Sequence, residues 1–157
     1  MRPVPDSLLV TPASPAGRAA IVAEAASWVG TPYRHQASLK GVGCDCLGLV
    51  RGVWRAMYGR EPEIVPAYTP DWAEAAGCET LAAAAARHMT AVTTADAGTG
   101  DLLLFRWRDN LPAKHAAILV GPARFVHAHH GAAVAFAALT PWWRRRLAFA
   151  FRFPEVD

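Results

Sequence analysis

The residues best suited to covalent chemistry in this 157-residue chain are two thiols one residue apart, Cys44 and Cys46, and a set of imidazoles at His115, His127 and His129. Cys46 follows Asp45, a residue that caps helices well, so it falls in the first turn of an expected helix. Unpaired backbone N–H groups and the helix macrodipole favour an anion there. Such a position lowers a thiol pKa and raises the share of thiolate, the form that attacks a carbonyl. The same N–H groups can hold the oxyanion of a tetrahedral intermediate. Gly48, without a Cβ, leaves room beside that turn for a substrate or a neighbouring backbone. The competing reading of Cys46 is a small buried hydrophobe, since free cysteines are commonly interior. A thiolate nucleophile needs an imidazole within hydrogen-bond reach, and the imidazole needs a third group to fix its tautomer. His115 opens one expected strand, and His127 and His129 share a face of the next, because strand side chains alternate with period two. A short turn at Gly121-Pro122 brings position 115 near 127 and 129. Spacing leaves the choice between His127 and His129 open. His35, His88 and His130 read as satisfied structural histidines.

Helices and strands must position these groups. Residues 1–13 are punctuated by proline and read as an N-terminal arm, with residues 14–157 as a single domain. Ser14-Pro15 reads as an N-cap followed by a first-turn proline, opening a helix through AAIVAEAASWV that Gly30 and Pro32 end. A polar loop from Thr31 to Cys44 follows. The helix starting at Cys46 runs to Tyr58, with Leu49, Val50, Val53, Trp54 and Met57 as its apolar stripe and Gly59 as its stop. A proline-rich connector at 60–70 leads to an alanine-rich helix expected from Asp71 to Met89. Beyond it the period falls to two, and DLLLFRW (101–107), HAAILVG (115–121), RFVHAHH (124–130), AAVAFA (132–137) and LAFAFRF (147–153) suit strands. Helices first and an antiparallel sheet of about five to six strands afterwards give an α+β fold.

Composition narrows the function. Apolar residues make up 53% and charged residues 18%, which excludes a disordered chain and a collagen-like fibre. Three cysteines, an odd number, do not make a disulfide framework. The net charge of +3 comes almost wholly from arginine, and Arg144, Arg145 and Arg146 form the one dense run. No broad basic stripe or reading motif accompanies that run, so nucleic acid is not an expected partner. A mildly basic surface still suits an anionic polymer such as a cell wall. No apolar run is long enough to span a bilayer. Pro3, Pro5 and Asp6 break any signal-peptide core, so the chain is expected to be made in the cytoplasm.

GVGCDCLGLV resembles the D-C-S-G-L signature of NlpC/P60 cysteine peptidases, with Asp45-Cys46-Leu47-Gly48-Leu49 on the matching positions. GTPYR (30–34), GDLLLF (100–105), HAAILVG (115–121) and RFVHAHHGAAV (124–134) are similar to further segments of that family, in its order. The resemblance implies a circularly permuted papain-like fold without metal or cofactor. It makes Cys46 the nucleophile, His115 the base and His127 the residue that orients His115. Tyr33 would line the substrate pocket beside the thiol, with Asp45 on the substrate side as well. The implied substrate is a peptidoglycan stem peptide, cut at the bond from γ-D-glutamate to a diamino acid. The wording GTPYRHQAS…GVGCDCLGLVRGVW is similar to the phage-type branch, which implies carriage in a phage-like tail or gene transfer agent, with tail or baseplate proteins as partners. Leu47 replaces the family's serine, and His35-Gln36-Ala37 replaces its Trp-Gly-Gly. Cys44 is an addition, readable as a buried loop residue, a resolving thiol or a site of inhibitory oxidation. Asp101 reads as structural, and Trp142 and Trp143 as core or as sugar-stacking rings.

Three rival readings remain. Cys44, Cys46, His127, His129 and His130 supply soft ligands of the kind zinc prefers, although Cys-x-Cys is tighter than usual zinc spacing. A structural tail component with a vestigial site is the second. An acyltransferase or amidase acting on lipid or another amide is the third, with a lipid substrate disfavoured by the lack of an anchoring helix.

Overall fold

The computed structural model describes residues 10–68 and 77–156. Helix α1 (Pro15–Ser27) starts where the Ser14 hydroxyl accepts from the Gly17 N–H, with Pro15 in the first turn, and it buries Gly17, Ile21 and Ala25. Helix α2 (Cys46–Tyr58) starts at Asp45, whose side chain accepts from the Gly48 N–H, and stops at Gly59, which has φ +88°. The loop between them is more ordered than its polar sequence implies. Residues Ser38–Leu39 (β1) and Gly43–Cys44 (β2) pair antiparallel, and Tyr33 bridges Cys44 in parallel.

Two glycines let these pieces close up. A Cβ on Gly48 would lie 1.9 Å from the Ala37 carbonyl oxygen, and one on Gly52 would lie 2.0 Å from the Trp28 indole. The backbone of α2 is therefore pressed against the preceding loop at one glycine and against α1's last indole at the next. Ser38 donates to the Gly48 carbonyl, and Arg55 donates to both the Ser38 carbonyl and its hydroxyl. The ribbon and the helix thus move as one piece.

Helix α3 (Thr80–His88) is the described part of the helix expected from Asp71 to Met89; positions 71–76 lie outside the described residues. Strand β3 (Thr90–Val92) follows, which the sequence did not signal, and then β4 (Leu102–Phe105), β5 (His115–Gly121), β6 (Arg124–His127) and β7 (Ala135–Ala138). A single helical turn, α4 (Pro141–Arg144), precedes β8 (Leu147–Arg152). The six strands lie in the order β3-β8-β4-β5-β6-β7, every neighbouring pair antiparallel. The α+β expectation holds, with the sheet at six strands. Among the described residues no helix is long and apolar enough to cross a membrane.

Period-two alternation divides the sheet into two faces. Leu102, Leu104, Ala116, Ile118, Val126 and Phe151 join Ile21, Ala25, Leu49 and Val53 in the core under the helices. Leu103, Phe105, Ala117, Leu119, Phe125 and Ala150 form a second cluster on the other face, which Trp143 helps to cover. Buried Asp101 ties the layers together: it accepts from Arg18 of α1 and from the Gly98 N–H, and it pairs with Arg152 of β8. Part of the expected loose arm is also fixed, because Ala13 donates to the Phe153 carbonyl and Glu155 to that of Thr11.

Replacing Gly48 or Gly52 by alanine pushes a methyl group into atoms that cannot simply withdraw. Each substitution is expected to cost about 1–3 kcal/mol of stability, the usual range for overpacking, measured as a lowered midpoint in urea unfolding.

Candidate active site

Cys46 occupies the first position of α2, held there by its neighbour. The Asp45 carboxylate is 3% exposed. One oxygen accepts from the Gly48 N–H at 2.7 Å, and the other from the Gln36 N–H at 2.8 Å and from the Tyr68 hydroxyl. His35 approaches the second oxygen at 3.8 Å, and its ring also meets the Tyr68 carbonyl at 2.8 Å. Asp45, expected on the substrate side, is thus enclosed and engaged by protein groups. Its visible action is to fix the helix start, the 33–37 loop and Tyr68 relative to one another.

The Cys46 sulfur lies against the first residues of β5. It donates to the Lys114 carbonyl at 3.7 Å, and the N–H groups of Ala116, Leu47 and Cys46 itself face it. Those donors favour the thiolate, yet dense surroundings oppose it more strongly. Burial, with a smaller contribution from Asp45, pushes the thiol up to about 11. The expectation of a thiol made acidic by its helix is corrected here: desolvation outweighs the macrodipole, and the resting group is a neutral S–H.

His115 and His127 are joined directly, Nε2 to Nδ1 at 2.9 Å. They are 5% and 8% exposed. The paired strands place Leu119 opposite Phe125, so His115 and His127 are diagonal neighbours on one face, within reach of long side chains. His129 was expected on the same strand. Instead β6 ends at His127, and a turn follows in which Ala132 donates to the His129 carbonyl and Gly131 takes φ +82°. The His129 ring lies 5.6 Å from that of His115, edge on. The structure therefore bonds His127, and not His129, to His115.

Burial is also the main reason both rings stay neutral. It holds His115 well below its ordinary value and His127 at about 4, with neighbouring imidazoles adding to the effect. Between two neutral imidazoles one nitrogen must donate and the other accept. When His115 Nε2–H donates to His127 Nδ1, His115 Nδ1 keeps its lone pair and can act as a base. The sulfur is not hydrogen-bonded to that ring in the resting state. Both groups lie at the start of β5: the Cys46 sulfur donates to the Lys114 carbonyl, and His115 is the first residue of the strand.

Two indoles flank His115, and only Trp143 had been singled out in the sequence. Trp107 stacks on His115 with centroids 5.2 Å apart, and Trp143 does so at 5.7 Å. Trp107 sits just beyond β4, and nothing in its spacing told of this contact. Tyr33 is half-buried near the thiol, its hydroxyl pushed up to about 12 by burial first and then by Cys46 and Asp45, and its ring meets His130 edge on at 5.2 Å. Cys44 is fully buried in β2, its thiol pushed up to about 12 by burial. Among the described residues no three His, Cys, Asp or Glu side chains converge as metal ligands.

The buried imidazoles make stability depend on pH with a definite sign. Above about pH 6.5 neither the folded nor the unfolded chain protonates them. As pH falls below that value the unfolded chain takes up protons first, so stability drops, and for His127 the drop continues to about pH 4. That separation corresponds to about 3 kcal/mol for His127 alone. Thermal melts between pH 7 and 4 should show Tm falling with pH, and His127→Gln should flatten the slope.

The sequence profile of the NlpC/P60 family matches residues 30–152. The murein DD-endopeptidase MepS/murein LD-carboxypeptidase of Escherichia coli K12 is 30% identical over 127 residues, 80% of this chain. The chain spans 57% of that relative's length. Among solved structures, the NlpC/p60 domain of the peptidoglycan hydrolase SagA is 29% identical with TM-score 0.59, covering 85% of this chain and 97% of that one. An NlpC/P60 family protein from Bacillus cereus ATCC 10987 shares the fold, at TM-score 0.64 and 19% identity over 94% of this chain and 42% of its own. A profile that takes in the helix-start thiol, the paired imidazoles and nearly the whole sheet leaves one assignment, and the chain belongs to the NlpC/P60 family.

Proposed function

We propose that this protein is a cysteine endopeptidase that hydrolyses peptidoglycan stem peptides, with Cys46 as nucleophile, His115 as base and His127 as the residue that orients it. The observation that carries the reading is the His115–His127 hydrogen bond at the start of β5, the strand whose preceding residue, Lys114, meets the Cys46 sulfur through its carbonyl. The relatives named for murein and peptidoglycan hydrolysis support the substrate class.

Each atom has a place in this reaction. The Cys46 thiol leaves the Lys114 carbonyl and gives its proton to His115 Nδ1 as the sulfur attacks the amide carbon. A thiol of pKa about 11 cannot supply much free thiolate at neutral pH, so proton transfer accompanies attack. His127 Nδ1 accepts from His115 Nε2–H and steadies the imidazolium that forms. The Cys46 N–H at the open end of α2 receives the oxyanion. The imidazolium protonates the leaving amine, which departs and leaves a thioester. The neutral ring then takes a proton from water, hydroxide adds to the thioester, and the acid product and free thiol are restored. Tyr33 lines the pocket beside the sulfur.

The proposed bond is γ-D-glutamyl to diamino acid, following the motif resemblance. The Escherichia coli relative, named for DD-endopeptidase and LD-carboxypeptidase activity, makes DD and LD bonds the other outcomes. Delivery in a phage-like tail is proposed on the similarity of the 30–54 segment to phage-type sequences, and immunoblotting of purified particles for this chain tests it.

Purified sacculi incubated with wild-type protein should yield new amino groups, and Cys46→Ala protein should yield none; mass spectrometry of the muropeptides then identifies the bond. His115→Ala should lower kcat by about 10²–10⁴-fold, the usual weight of a general base. In a Cys78→Ser background, alkylation of Cys46 by iodoacetamide should climb about tenfold per pH unit from 7 towards 10, as a thiol near 11 requires. A plateau beginning near pH 7 would mean a preformed thiolate.

A further inference from the structure

A second concavity, of about 340 Å³, opens beside the base and is walled by Arg106, Trp107, Arg108, Asp109, Arg145 and Arg146. Four guanidinium groups face it against one carboxylate. Two of the four are fixed in place. Arg106 donates to Glu79 at 2.7 Å and to the Leu111 carbonyl at 2.8 Å. Arg146 lies 3.5 Å over the Trp142 indole and donates to that residue's carbonyl at 2.9 Å. Among the described residues the side chains of Arg108 and Arg145 have neither a hydrogen bond nor an ion pair within reach, so their charge is available to a ligand.

The concavity is physically continuous with the reaction centre. Trp107, which forms part of its wall, is the indole stacked on His115. Trp142, the platform beneath Arg146, is 44% exposed and lies 6.4 Å from Trp107. A row of rings therefore runs from the base to the guanidinium groups. A guanidinium seated on an indole presents its edge outward, the geometry that holds a carboxylate through two parallel N–H donors.

We propose that this concavity is a carboxylate-binding subsite, which takes a free carboxylate of the wall peptide next to the bond being cut and so selects non-amidated stem peptides. The inference rests on the hydrolase reading above for its substrate and on its own geometry for the charge it binds. The dense arginine run divides in this view. Arg145 and Arg146 line the subsite, whereas Arg144, exposed on α4, lines nothing there.

Two arms test the subsite. In the first, wild type, Arg108→Gln, Arg145→Gln, Arg145→Lys and Arg144→Gln are assayed on one stem peptide prepared with free carboxylates and with amidated ones. The subsite predicts that Arg108→Gln and Arg145→Gln each raise KM for the free-carboxylate peptide about tenfold, the weight of one charge-assisted hydrogen bond. Arg145→Lys recovers part of the loss, and Arg144→Gln behaves as wild type. Equal effects of Arg144→Gln and Arg145→Gln, or a wild-type KM indifferent to amidation, overturn it. In the second arm, indole N–H signals are followed by NMR while glutarate is added to Cys46→Ala protein. Shifts at Trp107, identified with Trp107→Phe and abolished by Arg108→Gln with Arg145→Gln, support the subsite even if no peptide is ever cleaved. Absence of those shifts overturns it even in an active hydrolase.

Discussion

The buried carboxylate of Asp45 is the constraint on which the arrangement of this molecule turns. It accepts from three donors supplied by three separate stretches of chain: the first turn of α2, the 33–37 loop and the Tyr68 hydroxyl. Burying an ionised group is costly unless its lone pairs are occupied, and here the occupants are the segments that must be assembled around the thiol. The glycine contacts at 48 and 52 then bring the helix so close to its neighbours that its start has one position. The Cys46 side chain mounted at such a point is oriented chiefly by the packing of the helix that carries it.

The electrostatics follow from the same enclosure. A helix terminus and three N–H groups would make an exposed thiol acidic, but dense packing around the sulfur and the neighbouring Asp45 reverse the outcome. The imidazoles meet the same fate against Trp107, Trp143 and Phe125. The thiol and the two bonded imidazoles are thus held in their neutral forms at rest. A thiol pushed up to about 11 presents little thiolate, the form that oxidants and electrophiles attack. Cys44, completely enclosed two residues earlier, fits the buried-loop reading among the three its sequence allowed.

Most of the architecture was legible because local signals agreed with the global result. Ser14-Pro15, Asp45 and Gly59 marked helix ends that the structure reproduces, and β5 begins and ends at the residues its alternation gave. The juxtaposition of His115 with His127 followed from strand parity, whereas the choice over His129 required the turn that ends β6, a feature set by Gly131 rather than by periodicity. The inverted pKa of Cys46 was out of reach, since position on a helix is local and desolvation is a property of everything packed around it. Trp107 and Tyr68 escaped for the same reason: their relevance lies wholly in long-range contacts. The small ribbon at 38–44 hid in a segment whose composition reads as plain loop.

The strand order carries one more consequence. β8, the last strand in sequence, lies between β3 and β4, and it fills the gap that would otherwise leave both with open edges. A ribosome making this chain delivers Cys46 before His115 and His127, and β8 after every other strand of the sheet. Throughout synthesis the sheet lacks its keystone, and Asp101 lacks its bond to Arg152. β3 can therefore join the rest of the sheet only after residues 147–152 exist, which makes the closing of this sheet a late event in folding.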